Sequence, residues 1–67
     1  MAITLKGARV NAGYTQREVS EILGISNVTI GNWEKGKTFP KVNQVEKLAS
    51  LYGVNINDLI FLKTKTT

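Results

Sequence analysis

The chain has 67 residues, with nine Lys or Arg against five Asp or Glu, so its formal net charge is +4 and its pI is near 9.7. This length suffices for one small domain, and the positive balance favours a polyanionic partner, although it also serves simple solubility. Because the chain lacks cysteine and histidine, disulfides, thiolate or imidazole metal sites and a histidine base are excluded, and we expect no metal and no cofactor. No apolar run approaches the ~20 residues that span a bilayer, and no signal region is evident, so we expect a cytoplasmic protein.

Glycines and capping residues divide the chain into five predicted helices. The first extends from about Thr4 to Ala12 and ends at Gly13. The second begins at Thr15, whose T-x-x-E spacing to Glu18 predicts a capping box. The other three are predicted from Ser26 to Gly36, from about Val42 to Tyr52 and from about Ile56 to Leu62. No segment alternates apolar and polar residues for long, so we expect an all-α fold without strands.

Apolar residues at helical spacing indicate which faces form the core. Trp33 is predicted to be a core anchor rather than a surface on which bases stack. Arg9 and Glu34 lie beside these apolar faces, and a charge among apolar neighbours needs a partner, so we predict that they form a structural ion pair. The predicted core residues are Leu5, Ala8, Ala12, Val19, Ile22, Leu23, Ile30, Trp33, Val45, Leu48, Ala49, Tyr52, Leu59 and Leu62.

The outer face of the third helix carries a functional pattern. If its apolar residues point inward, this face presents Asn27, Val28, Gly31, Asn32 and Lys35. Asparagine can pair bidentately with adenine, an exposed valine can contact a thymine methyl, and a helix fits the ~12 Å major groove. We therefore predict base contacts by Asn27, Val28 and Asn32. Taken alone, the two asparagines fit ordinary solvated helix surface better, and their place in a helix-turn-helix reverses this preference.

The surroundings of this face are expected to bind phosphates. Gln16 lies in the first turn of the second helix, where free N–H groups suit an anion, and its side chain could also extend toward Asn27. Lysines cluster near the loop after the third helix, where phosphate contacts would position the protein without specifying sequence. The predicted phosphate-binding residues are Gln16, Arg17, Ser26, Thr29, Lys35, Lys37 and Lys41.

Together these segments resemble the phage repressor and Cro-type helix-turn-helix family, also called the XRE family. The resemblance implies a compact five-helix repressor-like DNA-binding domain, with the helix-turn-helix in helices 2 and 3 and the third helix in the major groove. It also implies phosphate binding at Gln16, base contacts at Asn27, Val28 and Asn32, and an Arg9–Glu34 ion pair. The similar pieces are L-K-x-x-R at 5–9, T-Q-R-E-V at 15–19, L-G-I-S at 23–26, W-E-x-G-K at 33–37, Pro40, L-A at 48–49, Y-G-V at 52–54 and N-D-L at 57–59.

We therefore expect a sequence-specific double-stranded DNA-binding transcriptional regulator of phage or prophage type that acts by operator occupancy. Residues 1–62 are expected to form the DNA-binding domain and residues 63–67 a short basic tail. Such proteins bind inverted repeats as two-fold dimers, so we expect a weak homodimer that is strengthened on DNA. The predicted dimer surface is Ile56, Ile60, Phe61 and Leu62.

Three other functions were weighed against this one. An antitoxin-type module would bind a toxin and its own operator with the same domain, and it would need a separate arm for the toxin. A helical interaction domain without DNA binding would carry acidic or bulky residues on the groove face, and none of the five residues there is acidic. An enzyme is disfavoured because the serines have no histidine to activate them.

Overall fold

Helices dominate the computed structural model, which describes residues 2–61. The described residues form four α-helices, one short 3-10 helix and two strands of two residues each, which confirms the predicted helical fold class. The predicted basic tail at 63–67 and Leu62, which is predicted for the core and the dimer surface, lie outside the described residues. The elements in chain order are β1 Ile3–Thr4, α1 Leu5–Ala12, α2 Gln16–Leu23, α3 Asn27–Lys35, α4 Val42–Tyr52, the 3-10 helix Ile56–Asp58 and β2 Leu59–Ile60.

Side chains at the helix N-termini satisfy backbone groups that have no partner within the helix. The predicted capping box of α2 is confirmed: Thr15 Oγ1 accepts from the Glu18 N–H at 3.1 Å, and Glu18 Oε1 accepts from the Thr15 N–H at 2.8 Å. Ser26 caps α3, because its Oγ accepts from the Val28 N–H at 3.2 Å. These caps define where both helices of the predicted helix-turn-helix begin.

The prediction of a fifth α-helix is wrong, and so is the expectation that the chain has no strands. After the 3-10 helix the chain becomes extended, and β2 pairs in parallel with β1 in the register Ile3 to Leu59 and Thr4 to Ile60. The β-branched residues Ile3, Thr4 and Ile60 suit extended backbone, and pairing with β1 overrides the local helical signal at Asn55. The ladder joins the two ends of the described chain.

The core lies where α1, α3, α4 and β2 meet, with α2 packed against it through Val19. Two predicted core residues are wrong: Ala12 is exposed at the end of α1, and the side chain of Ile22 is 54% exposed. Ile22 lies about 100° around α2 from Leu23, so only Leu23 turns toward the core. The buried apolar cluster is Leu5, Ala8, Val19, Ile30, Trp33, Leu48, Ala49, Tyr52 and Leu59.

The four helices are short and amphipathic. Among residues 2–61, no helix has the length and apolar character needed to cross a membrane.

Candidate nucleic-acid interface

Helices α2 and α3 are joined by a three-residue connection that forms a tight turn. Gly24 ends α2 with a φ of 68°, a left-handed conformation that glycine adopts without a steric penalty. The Ile25 N–H then donates to the Ser20 carbonyl at 3.0 Å, and Ser26 begins the next helix. Two helices connected in this way have the arrangement of a helix-turn-helix, in which the second helix is available to a groove.

The orientation of α3 follows the predicted one. Ile30 and Trp33 are 1% and 5% exposed, so they point into the core. On the opposite side, Val28 is 71% exposed, Asn27 is exposed and Asn32 is half-buried. The three residues predicted to contact bases therefore share the outer side of one helix.

A buried ion pair fixes α3 to α1. Arg9 Nε donates to Glu34 Oε2 at 2.7 Å, and Arg9 Nη2 donates to Glu34 Oε1 at 3.3 Å, with both residues only 8% exposed. Arg9 Nη1 also donates to the Tyr14 carbonyl at 2.8 Å. The hydrogen bond to Glu34 is the main cause that raises the pKa of Arg9, and it outweighs desolvation, which lowers it. The guanidinium is thus held in its charged form between the two helices.

Gln16 extends this polar cluster to α2. Its amide Nε2 donates to Glu34 Oε1 at 2.9 Å, so the side chain is bonded to the ion pair, and no bond from Gln16 to Asn27 accompanies it among the described residues. This bond uses one of the two amide N–H groups. The remaining N–H keeps its capacity to donate to a phosphate at the N-terminus of α2.

Exposed basic side chains lie at the C-terminal end of α3, in the segment that follows it and on α2. Lys35, Lys37 and Lys41 are all exposed and lie at the end of α3, in the following loop and at the start of α4. Arg17 forms an ion pair with Glu21 at 3.5 Å, in which the side chains are 84% and 66% exposed. A pair this exposed contributes little stability, so the guanidinium can exchange its carboxylate for another anion at small cost.

Two predicted phosphate ligands have structural surroundings that bear on that role. The Ser26 hydroxyl is exposed and accepts from the Val28 N–H as the cap of α3, which leaves its own proton available for donation. Thr29 is half-buried in the first turn of α3. Both residues therefore lie at the end of α3 that carries the positive pole of the helix dipole.

A family model described as helix-turn-helix matches residues 5–59 of the chain, the region that contains α1 to α4 and the whole 3-10 helix. This chain belongs to the helix-turn-helix family. The match confirms the resemblance that the sequence motifs indicated.

Curated relatives of this helix-turn-helix protein carry the names of regulators. It is 41% identical over 56 residues to the HTH-type transcriptional regulator ImmR of Bacillus subtilis, a match that covers 84% of this chain and 44% of ImmR. It is 39% identical over 56 residues to the cryptic phage CTXphi transcriptional repressor RstR of Vibrio cholerae, covering 84% of this chain and 50% of RstR. An uncharacterized HTH-type transcriptional regulator of Methanocaldococcus jannaschii is 38% identical over 55 residues, and the match covers 82% of this chain and 83% of that regulator. The chain spans about half the length of the first two relatives.

The helix-turn-helix protein also has an apolar surface that the sequence analysis missed. Phe39, Pro40, Val45 and Phe61 line an open hollow, which we call the Phe39 hollow, and Phe39 is 53% exposed. The available signal was an aromatic residue in the otherwise polar loop between α3 and α4. Phe61 connects this hollow to the predicted dimer surface, where Ile56 and Ile60 are each 42% exposed.

Proposed function

We propose that this protein is a sequence-specific transcriptional regulator of phage or prophage type that binds double-stranded DNA in the cytoplasm and acts by occupying its operator. The observation that carries this proposal is the outer side of α3. It is exposed around Val28 and free of acidic residues, and its opposite side is fixed by Ile30, Trp33 and the Arg9–Glu34 pair. The names of ImmR and RstR, one a regulator and the other a phage repressor, support it.

The proposed base contacts come from the middle of this face. Asn27 and Asn32 each offer an amide that can pair with the N6 and N7 edge of adenine, and Val28 offers methyl groups to thymine. An exposed valine gains nothing from water, whereas a thymine methyl would bury it.

The proposed phosphate contacts flank the base-contacting face on both sides. Gln16, already oriented by Glu34, presents its remaining amide N–H beside the positive end of the α2 dipole. Charge attraction supplies the rest of the affinity, and it does so without sequence preference. The residues proposed for this role are Gln16, Arg17, Ser26, Thr29, Lys35, Lys37 and Lys41.

We further propose that two copies bind an inverted repeat as a weak homodimer. Ile56, Ile60 and Phe61 are apolar and at least partly exposed, and Phe61 adds the Phe39 hollow to this surface. Exposed apolar residues grouped in this way are typical of contact surfaces. Because the patch is small, the free dimer is weak, and binding of both copies to adjacent half-sites strengthens it.

The test is selection of bound sequences from a random duplex pool at about 0.15 M salt, near physiological ionic strength. The expected result is an inverted repeat whose half-sites are about one helical turn, ~34 Å, apart. A single short site would retain sequence recognition and contradict the dimer. Salt-sensitive binding without enrichment of any sequence would overturn the proposed function.

Two variants then separate base contacts from phosphate contacts. Asn32→Ala should lose ~1–3 kcal/mol of binding free energy and relax the preference at one base pair. Lys37→Ala is the matched control, because it should weaken binding to all sequences about equally and reduce the salt slope by about one unit. Unchanged base preference in Asn32→Ala would remove this residue from sequence recognition.

A further inference from the structure

A glycine in the middle of α3 has no structural reason to be there. Glycine is less favourable than alanine in a helix interior, so Gly31 weakens α3. The φ of Gly31 is not positive. A Cβ atom built on Gly31 would lie 3.7 Å from Gln16 Oε1 and 3.8 Å from Gln16 Nε2, which is ordinary van der Waals contact. The fold would therefore accept alanine at this position.

The other five glycines of the chain differ from Gly31 in this respect. Four of them end helices with φ values between 68° and 85°, a region that side chains rarely adopt. At Gly7 in α1, a Cβ atom would approach Thr4 Oγ1 to 3.1 Å and Ile3 Cγ1 to 3.2 Å, so the packing of β1 disfavours a side chain there. Gly31 is the one glycine whose missing side chain the described structure does not use.

Gly31 lies on the face that the proposed function assigns to DNA. It follows Asn27 by four residues and Val28 by three, spacings that place all three on one side of α3. The amide of Gln16, a proposed phosphate ligand, lies next to it across the helix-turn-helix. The position is therefore bordered by proposed base contacts on one side and by a proposed phosphate contact on the other.

We propose that the duplex comes into van der Waals contact with the backbone of α3 at Gly31, so that this glycine determines how deeply α3 enters the major groove. This inference rests on the proposed DNA-binding function and adds a residue that determines its affinity. A side chain at position 31 would hold the helix away from the duplex, and every contact of the face would lengthen.

The test measures stability and DNA affinity of the same variant, Gly31→Ala. Its Tm should rise by roughly 4 °C, because alanine favours the helix. Its affinity for the selected operator should fall about tenfold, as for the loss of one good DNA contact. Ser50→Ala is the matched control, since Ser50 is exposed on α4 and the change also favours a helix. Its operator affinity should stay that of the wild type.

Three outcomes would overturn the inference. If wild-type protein selects an operator and Gly31→Ala binds it equally well, close approach at Gly31 is contradicted while the proposed function stands. If the wild-type protein selects no sequence, both the proposed function and the inference about Gly31 fail. Gly31→Ala is also measured in a Gln16→Ala background, to test whether the new methyl group acts through the Gln16 amide. If operator affinity still falls there, contact between position 31 and DNA is supported. If the loss of affinity disappears, the methyl group acts by displacing the Gln16 amide.

Discussion

At the scale of single residues, the Arg9–Glu34 pair shows how a charge inside this small domain depends on its partner. Both groups are buried, and the carboxylate also accepts from Gln16. Removing one member leaves the other without its counter-charge, whereas replacing both with apolar residues removes the need for one.

Glu34→Ala should therefore lower the free energy of unfolding by ~3–5 kcal/mol, because it leaves a buried guanidinium unpaired. A loss of this size is enough to unfold a domain of this length. The double variant Arg9→Met/Glu34→Leu should lose much less. Urea titrations followed by circular dichroism compare the two, and equal losses would show that the pair does not act through the buried charge.

Tyr52 gives the stability a dependence on alkaline pH. Burial raises the pKa of Tyr52 from 10.0 to about 12, and the Glu34 carboxylate adds to the shift while Arg9 opposes it. Because the folded protein holds this proton more tightly than the unfolded chain, the contribution is complete below pH 10 and is lost as the pH rises toward 12.

The wild type should accordingly lose about 2 kcal/mol of unfolding free energy through Tyr52 between these pH values. Urea titrations at several pH values above 9 measure this loss. Because Tyr52→Phe has no hydroxyl to ionise, its free energy of unfolding should fall by about 2 kcal/mol less than that of the wild type between pH 10 and pH 12. Tyr14→Phe is the control, because the ring centroids of Tyr14 and Tyr52 are 6.4 Å apart and this variant keeps the buried hydroxyl of Tyr52. If the unfolding free energy of Tyr52→Phe falls with pH in parallel with that of the wild type, Tyr52 is not the cause of the loss.

At the scale of elements, the sequence predicts best what depends on neighbours along the chain. Helices α1 to α4 end at glycines and begin at local caps, so their bounds follow from short segments. The start of α4 also has a local signal, because Gln44 Oε1 accepts from the Lys41 N–H at 3.3 Å. The predicted start of α4 at about Val42 is confirmed. The strands β1 and β2 stabilise each other across almost the full chain, and no local pattern indicates this pairing.

In the candidate site, too, features within one helix can be predicted from the sequence, and features that join different helices cannot. The outward direction of Asn27, Val28 and Asn32 follows from the spacing of Ile30 and Trp33 on one helix. The hydrogen bond from Gln16 to Glu34 joins side chains of different helices, so it depends on how α2 packs against α3. Base and phosphate contacts depend on the partner as well, and they stay predictions.

The capping box of α2 provides a prediction at this scale. Thr15→Ala should lower the free energy of unfolding by about 1 kcal/mol, because the Glu18 N–H loses its acceptor at the start of the helix. Thermal or urea unfolding measures the change. Thr38→Ala serves as control, since Thr38 is exposed in the loop before α4 and should change stability little. Equal effects of the two variants would mean that the cap adds nothing beyond the loss of an exposed threonine.

At the scale of the whole molecule, a basic surface adjoins an apolar one, because Phe39 and Pro40 lie in the chain between Lys37 and Lys41. Of the five acidic residues, Glu34 is paired inside the fold and Glu21 is paired on the surface, and Lys35, Lys37 and Lys41 are exposed at the end of α3 and in the segment that follows it. The Phe39 hollow lies beyond α3 along the chain, between the loop before α4 and the end of the described residues. A protein that binds adjacent half-sites as two copies needs both a surface for DNA and an apolar surface for the second copy.

The last prediction tests the Phe39 hollow as the contact between copies. Phe39→Ser should leave affinity for a duplex with one half-site unchanged and lower affinity for the complete inverted repeat about tenfold, because only the repeat places two copies side by side. Titrations with the two duplexes measure this difference. Ile22→Ser is the matched control: Ile22 is 54% exposed against 53% for Phe39, and it lines a different groove between α2 and α4. If affinity falls for both duplexes, Phe39 contacts the DNA rather than the second copy. If affinity falls for neither duplex, the Phe39 hollow is not the contact between copies.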